Sequence, residues 1–286
     1  MEPLDYCRNK VAPVGSALYY ALRFAPPAQH DALLAVHALD RELDEIPDEV
    51  SDAGVGEVKL QWWREELQRA FDGRPRHPVS QALAPAIAAH GLDRAPFDER
   101  LEGVAMDLAY DAYPSFRELT LYGHRSGGAL AQILVAVAGG GGGAEARFAH
   151  DLGMAFTLRH RLLRVRDDAH AGRIYLPQDE LAAHGVAPQD LLGASTPPAL
   201  RGLLRQQAER ITEFLDSAEG HLPPAEQHRL GNGMLLAAMD RALLAELARE
   251  DFPLLERRIE LTPLRRLWIA WRTARRQRRT SRRAEQ

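Results

Sequence analysis

Apolar residues recur every three or four positions along most of the chain. In QHDALLAVHALDRELDEI, Leu33, Val36, Leu39, Leu43 and Ile46 fall on one face of a helix. Leu60, Trp63, Leu67 and Phe71 repeat the period in EVKLQWWREELQRAF. The same spacing predicts helices over about 97–111, 115–138, 145–169, 198–219 and 225–250. Turn chemistry separates them at DGRPRHP (72–78), at the glycine run 139–143 and at HLPP (221–224). The glycine run is short enough to be a flexible loop between helices rather than a domain linker. There is no strand-like alternation and no internal repeat, so the expectation is one all-α domain over 1–271, with 272–286 set apart as a basic, flexible tail.

Composition narrows this picture only modestly. A chain of 286 residues can bury a sizeable core. Its formal net charge of -4 offers no general attraction to nucleic acid. The single cysteine, Cys7, excludes an intrachain disulfide framework and fits a reducing compartment. The first residues, MEPLDYCRNK, lack the apolar core of a signal peptide, and no run reaches membrane-spanning length. The location expected is therefore cytoplasmic, with peripheral contact at the inner face of a membrane left open. Arginine far outnumbers lysine, which is present only as Lys10 and Lys59, and this reads first as genome bias.

The candidate chemistry lies on two helices. Asp40, Asp44 and Asp48 stand four residues apart in LDRELDEIPDEV, stacking carboxylates on one face. Two readings fit: a solvated acidic face, or a site for Mg²⁺, which takes one or two carboxylates together with phosphate oxygens. Pro47 interrupts the helical hydrogen bonding, so Asp48 need not point where Asp44 points. The opposite wall would be HRLLRVRDDAHAGRIYLP, with Asp167 and Asp168. There Arg164 precedes Asp168 by one turn, and a guanidinium has no lone pair for a metal, though it can grip a diphosphate in bidentate fashion. His160 is a poor Mg²⁺ ligand and is expected to make an ordinary helix-face hydrogen bond. Of Trp62 and Trp63, one ring is expected in the core and the other at the surface.

Several collinear segments then resemble the squalene/phytoene synthase family, most closely bacterial presqualene diphosphate synthases. They include YCRNKVAPVGSALYYALRFAPP, AVHALDRELDEIPDEVSD, KLQWWREEL, MDLAYDAYPSFRELTLYGHR, HDLGMAF, GRIYLPQDEL and LTPLRRLWIAW. The resemblance implies the all-helical isoprenoid synthase fold, a bundle around a central cavity. It also implies head-to-head joining of two farnesyl-type diphosphates with Mg²⁺ held between two Asp-rich helices. Position by position it assigns Asp44, Asp48 and Asp168 to metal and catalysis, with Tyr122 also catalytic. Arg41, Arg164, Arg173, Ser16, Tyr19 and Tyr20 become substrate-binding candidates, although the two tyrosines could equally be packing residues. Asp107, Tyr113 and Arg125 match the middle region.

The departures from the family pattern cluster on ligand contacts. The second motif, normally Asn, Asp and Asp at successive steps of four, is His160, Arg164 and Asp168 here. Its usual Arg is Leu163, a middle-region Arg is Ala112, a Ser-Phe pair is Ala17-Leu18, and a Tyr is His37. The reading favoured is a protein that keeps the fold and a site for a prenyl diphosphate or other lipid, or an assembly role, while condensation is lost or strongly reduced. A mitochondrial complex I assembly factor with this domain is the analogy for a protein partner. The alternatives are an active Mg²⁺-dependent prenyltransferase in isoprenoid, hopanoid or carotenoid biosynthesis, and simple ionisation and hydrolysis of a prenyl diphosphate. In the first alternative, Arg164 stands in for one metal's charge.

The last segment, LRRLWIAWRTARRQRRTSRRAEQ, places Leu264, Leu267, Trp268 and Trp271 in one stripe followed by clustered arginines. Two readings remain: a helix on an anionic membrane surface, or a core-docked helix with a solvated basic end. The likeness of LTPLRRLWIAW to the family's usual ending favours docking for that part.

Overall fold

The computed structural model describes residues 1–50, 52–223 and 226–284. The chain opens with α1 (Pro3–Val11), α2 (Ala17–Arg23), α3 (Pro27–Glu49) and α4 (Ala53–Phe71). It continues through α5 (Pro78–His90), α6 (Ala95–Ala109), α7 (Phe116–Gly123), a π-helical turn (His124–Gly128) and α8 (Ala129–Val137). After α9 (Gly143–Leu163), α10 (Val165–His170) and α11 (Gln178–Ala183) comes a short 3-10 turn at Pro188–Leu192. The fold closes with α12 (Pro198–His221), α13 (Gly231–Arg249) and α14 (Pro263–Ala284). Among the described residues there is no strand, only one isolated bridge between Ala112 and Ile174. The all-α expectation holds. None of the helices, among the described residues, is long and apolar enough to cross a membrane.

The long helices form where the period predicts, and their inward faces build two main cores. One joins α3 to α1, α5, α6 and α8 through Leu33, Val36, Leu39 and Leu43. The other gathers α9 and α12 with α13, around Phe148, Leu152, Leu204 and Ile211. Trp63 is buried while Trp62 is 41% exposed, the division that their adjacency on α4 requires.

Several boundaries differ from the sequence reading. The single helix expected over 115–138 contains the π turn, where the backbone passes against α9. A methyl added at Gly127 or at Gly153 would land inside the facing backbone, so glycine on both sides is what permits the approach. The Gly127 amide donates to Thr157 Oγ1 at 2.9 Å. The helix expected over 145–169 breaks at Arg164, whose φ of -101° and ψ of 8° separate α9 from α10.

The glycine run is a tight turn, with Glu145 accepting hydrogen bonds from the amides of Gly141 and Gly142. Expected features at Pro224 and residue 225 lie outside the described residues, and α13 starts later, at Gly231. Helices α1, α2, α5 and α11 are additional. α14 runs unbroken through the boundary drawn after residue 271, while residues 285 and 286 of that expected tail lie outside the described residues.

Candidate functional site

Both Asp-rich segments face one interior cleft, and every carboxylate there meets an arginine. Pro47 does not end α3, which runs on to Glu49, and Asp40 and Asp44 share one arginine while Asp48 meets two others. Arg100 of α6, 3% exposed, donates from Nε to Asp40 Oδ1 at 2.7 Å and from Nη2 to Asp44 Oδ1 at 2.5 Å. Asp48 accepts from Arg164 Nη2 at 2.7 Å and from Arg173 Nη2 at 2.5 Å. Arg173 also donates to the Pro47 carbonyl at 3.0 Å, fastening the loop after α10 to the end of α3. The break at Arg164 lets its side chain bridge two elements, because its Nε also donates to Asp168 Oδ1 at 3.1 Å.

Deeper in, Arg161 sits at the centre of a buried polar cluster. Its Nη2 donates to both Asp107 oxygens at 3.1 Å, and its Nε donates to the Tyr122 hydroxyl at 2.9 Å. The guanidinium carbon lies 3.9 Å from the centre of the Tyr175 ring. Tyr175 donates to Asp107, and Tyr122 donates to the same carboxylate at 3.3 Å. Arg161 Nη1 approaches Asp168 Oδ2 at 3.6 Å, an oxygen with no hydrogen-bond partner.

Burial pushes the carboxyls of Asp107 and Asp168 above the ordinary range, with arginine charge opposing the rise. At Asp44 burial also acts upward, but Arg100, His160 and Arg161 outweigh it and hold the carboxyl low. Asp40 rises through burial, opposed by Arg100 and aided by Asp44. Burial lowers His160 to about 3, opposed by Asp44 and aided by Arg161, Arg159 and Arg164. The hydrogen bond expected of His160 is not formed with Asp44; the separation is 4.0 Å, beyond bonding distance, because the carboxylate turns toward Arg100.

The remaining candidates fall elsewhere. Arg41 is partly exposed and pairs with Glu45 at 2.7 Å on the rim. Ser16 Oγ caps α2, accepting from the Tyr19 amide at 3.1 Å. Tyr19 and Tyr20 pack edge-on with centroids 5.2 Å apart and lie against two cores, apart from the carboxylate cluster. Arg125 pairs with Glu99 at 3.3 Å, and the Tyr113 hydroxyl is buried without a partner. The sequence reading missed Arg100. The available signal was a charged residue within the apolar run Phe97, Leu101 and Val104, placed so that it must find an acid inside.

Two connected spaces open beside this cluster. The inner one, of ≈ 230 Å³, has apolar walls at Leu18, Leu130, Phe156 and Leu236, and a polar end at Asp44, Tyr122 and Arg161. The outer one, of ≈ 380 Å³, is lined by Arg41, Arg159, Arg164 and Arg258 together with Asp167, Asp240 and Glu260. Ala17, Arg159, His160 and Leu236 border both. An apolar pocket with basic groups at one end suits a long hydrocarbon with an anionic head.

The donor set does not fit Mg²⁺ in this arrangement. Asp44, Asp48 and Asp168 are each engaged by guanidinium groups, and His160 and Arg164 occupy two positions of the second motif. No three His, Cys, Asp or Glu side chains converge as a metal-holding group among the described residues.

Residues 11–265 match the family described as squalene/phytoene synthase. The chain is 31% identical over 224 residues to phytoene synthase 1, chloroplastic, of Arabidopsis thaliana, covering 76% of this chain and 53% of that protein. It thus spans about half the length of that relative. A dehydrosqualene synthase crystal structure superposes with a TM-score of 0.81 at 20% identity, covering 95% of each chain. A squalene synthase from Alicyclobacillus acidocaldarius gives 0.74 at 23% identity, covering 87% of this chain and 94% of its own. These structures share the all-α fold.

Proposed function

Because the chain belongs to the squalene/phytoene synthase family, we propose that it keeps that family's central cavity as a metal-independent site for an anionic isoprenoid. The ligand class is a prenyl diphosphate or a lipid of similar chemistry, and head-to-head condensation is lost or strongly reduced. Family members act on prenyl diphosphates and typically use Mg²⁺. The observation that carries the reading is Arg164, a guanidinium bridging Asp48 and Asp168 where the two Asp-rich segments face each other. Its fixed charge opposes a second cation in that gap. It can instead grip phosphate oxygens directly, with Arg41 and Arg159 nearby on the rim. The hydrocarbon would lie along Leu18, Leu130, Phe156 and Leu236, where its burial provides most of the binding free energy.

A second reading, an active Mg²⁺-dependent prenyltransferase, is favoured by the retention of Asp44 and Tyr122 at the inner space and of Asp48 and Asp168 on either side of Arg164. Diphosphate would then be held by Arg41, Arg164 and Arg173. The two readings separate on pyrophosphate release from farnesyl diphosphate, with Mg²⁺ or with EDTA. The proposal expects no turnover by the parent protein and a rise in melting temperature with farnesyl thiodiphosphate in EDTA. Mg²⁺-dependent turnover by the parent would overturn it in favour of the second reading. Silence in both assays would point to the assembly role instead.

A further inference from the structure

α14 presents a surface that the cavity does not use. The helix docks on α13 and α2 through Ile269, Ala270 and Ala274, all buried, with Leu261 beside them in the same small core. The stripe singled out in the sequence lies on the other side. Leu264 is 78% exposed, Trp268 53%, Trp271 46% and Leu267 38%. Their spacing of three and four residues aligns them along one open face. At the start of α14, Arg266 donates to the Gly15 carbonyl at 3.0 Å, next to the exposed Val14 in the sequence.

Farther along, the same face becomes basic. Arg272 lies over the Trp268 ring at 5.1 Å and Arg275 over the Trp271 ring at 5.2 Å. From Leu261 to Ala284 the sequence contains no acidic residue, although the whole chain carries a formal charge of -4. Among the described residues no carboxylate pairs with Arg272, Arg275, Arg276, Arg278 or Arg279, whereas Arg265 and Arg266 are paired with Glu246 and Glu260. A cleft of ≈ 310 Å³ opens between Phe24 and the side chains of Trp271, Arg275, Arg278 and Arg279.

We propose that this face of α14 docks on an anionic phospholipid bilayer. The four apolar side chains enter the boundary between headgroups and acyl chains, where tryptophan keeps its N–H wet and its ring in hydrocarbon. The following arginines lie on lipid phosphates, with the cleft beside Phe24 able to take a headgroup. A nucleic acid would engage the arginines but leave Leu264 and Leu267 in water; a lipid surface accounts for both halves. Arg266 and Leu261, at the start of this segment, also line the outer cavity, so docking brings the cavity mouth close to the bilayer. Only that last consequence rests on the isoprenoid-binding reading.

The test is flotation of the full chain with phosphatidylcholine vesicles, with and without phosphatidylglycerol. The expected result is capture only by the anionic vesicles, weakened by salt. Replacing Arg275, Arg278 and Arg279 together by Gln should lower partition by about 100-fold, at about fivefold for each arginine. Trp268→Ser with Trp271→Ser should abolish capture, while Trp62→Ser, at an exposed site on α4, should leave it intact. Circular dichroism melts of both combined variants should match the parent, since the altered side chains do not enter the core. Failure of the parent to float, equal capture by neutral vesicles, or capture unchanged in both variants would overturn the proposal. So would self-association lost in the tryptophan variant without any vesicle capture. Vesicle capture together with failed isoprenoid binding would overturn the cavity reading alone.

Discussion

Arg164 reaches Asp48 across the cleft, with Nη2 2.7 Å from Oδ2, while its Nε holds Asp168 on the other side at 3.1 Å. The positive charge joining α3 to α10 is therefore part of the protein. Removing it leaves Asp168 buried beside Arg161 alone and gives Asp48 only Arg173.

Arg164→Ala should cost about 3 kcal/mol of stability in urea unfolding, the low end for breaking a buried pair because Arg164 and Asp48 are partly exposed. His160→Asn with Arg164→Asp should be still weaker without metal, since carboxylates then face one another. Millimolar Mg²⁺ should raise its melting temperature and leave the parent's unchanged. Equal responses in the two proteins would count against the idea that Arg164 disarms this gap.

Arg100 is nearly inaccessible and serves two carboxylates at once. Arg100→Met should destabilise by about 4 kcal/mol, most of it from leaving Asp40 and Asp44 together without their counter-charge. Adding Asp40→Asn and Asp44→Asn should recover the larger part of that loss. Denaturant midpoints of the single and triple variants check this, and a triple variant no more stable than the single would contradict it.

Gly153→Ala tests the contact between the π turn and α9. The new methyl would collide with Gly127 backbone rather than with a side chain that can rotate away. The expected loss is about 3 kcal/mol, at the upper end for overpacking. Gly220→Ala, on α12 with open space around it, should be neutral or slightly stabilising by the same measurement.

Burial holds His37 at about 4, against a weak contribution from Asn232, and His160 at about 3. Both lie below the unfolded value near 6.5, so the unfolded chain binds more protons between those limits. Stability should therefore fall as pH drops below about 6.5, by at most about 1.4 kcal/mol per pH unit for each ring and less for a partly exposed one. Asp40 is raised and acts oppositely, gaining stability as pH falls through its folded value toward the unfolded one. His160→Asn should flatten the decline of melting temperature between about pH 7 and pH 5. A parallel decline in parent and variant would show that His160 carries no such penalty.

The fold was legible because helix formation here follows from which side of each segment must leave water. Leu33, Val36, Leu39 and Leu43 mark an inward face without reference to any neighbour, whereas α3 runs on through Pro47, where sequence suggested an interruption. Ordered motifs also identified the family and the aspartates that enter the cluster. Sequence alone could not pair those aspartates: Arg100 lies 56 positions from Asp44, Arg164 116 from Asp48, and Arg173 125 from Asp48. Periodicity determines that a side chain points inward, not which distant charge it meets there. The same limit governed α14, where a stripe of leucine and tryptophan reads alike whether it enters a core or faces solvent. Tertiary packing decided it, because the small residues Ala270 and Ala274 allow close approach to α13 and α2, turning the larger residues outward.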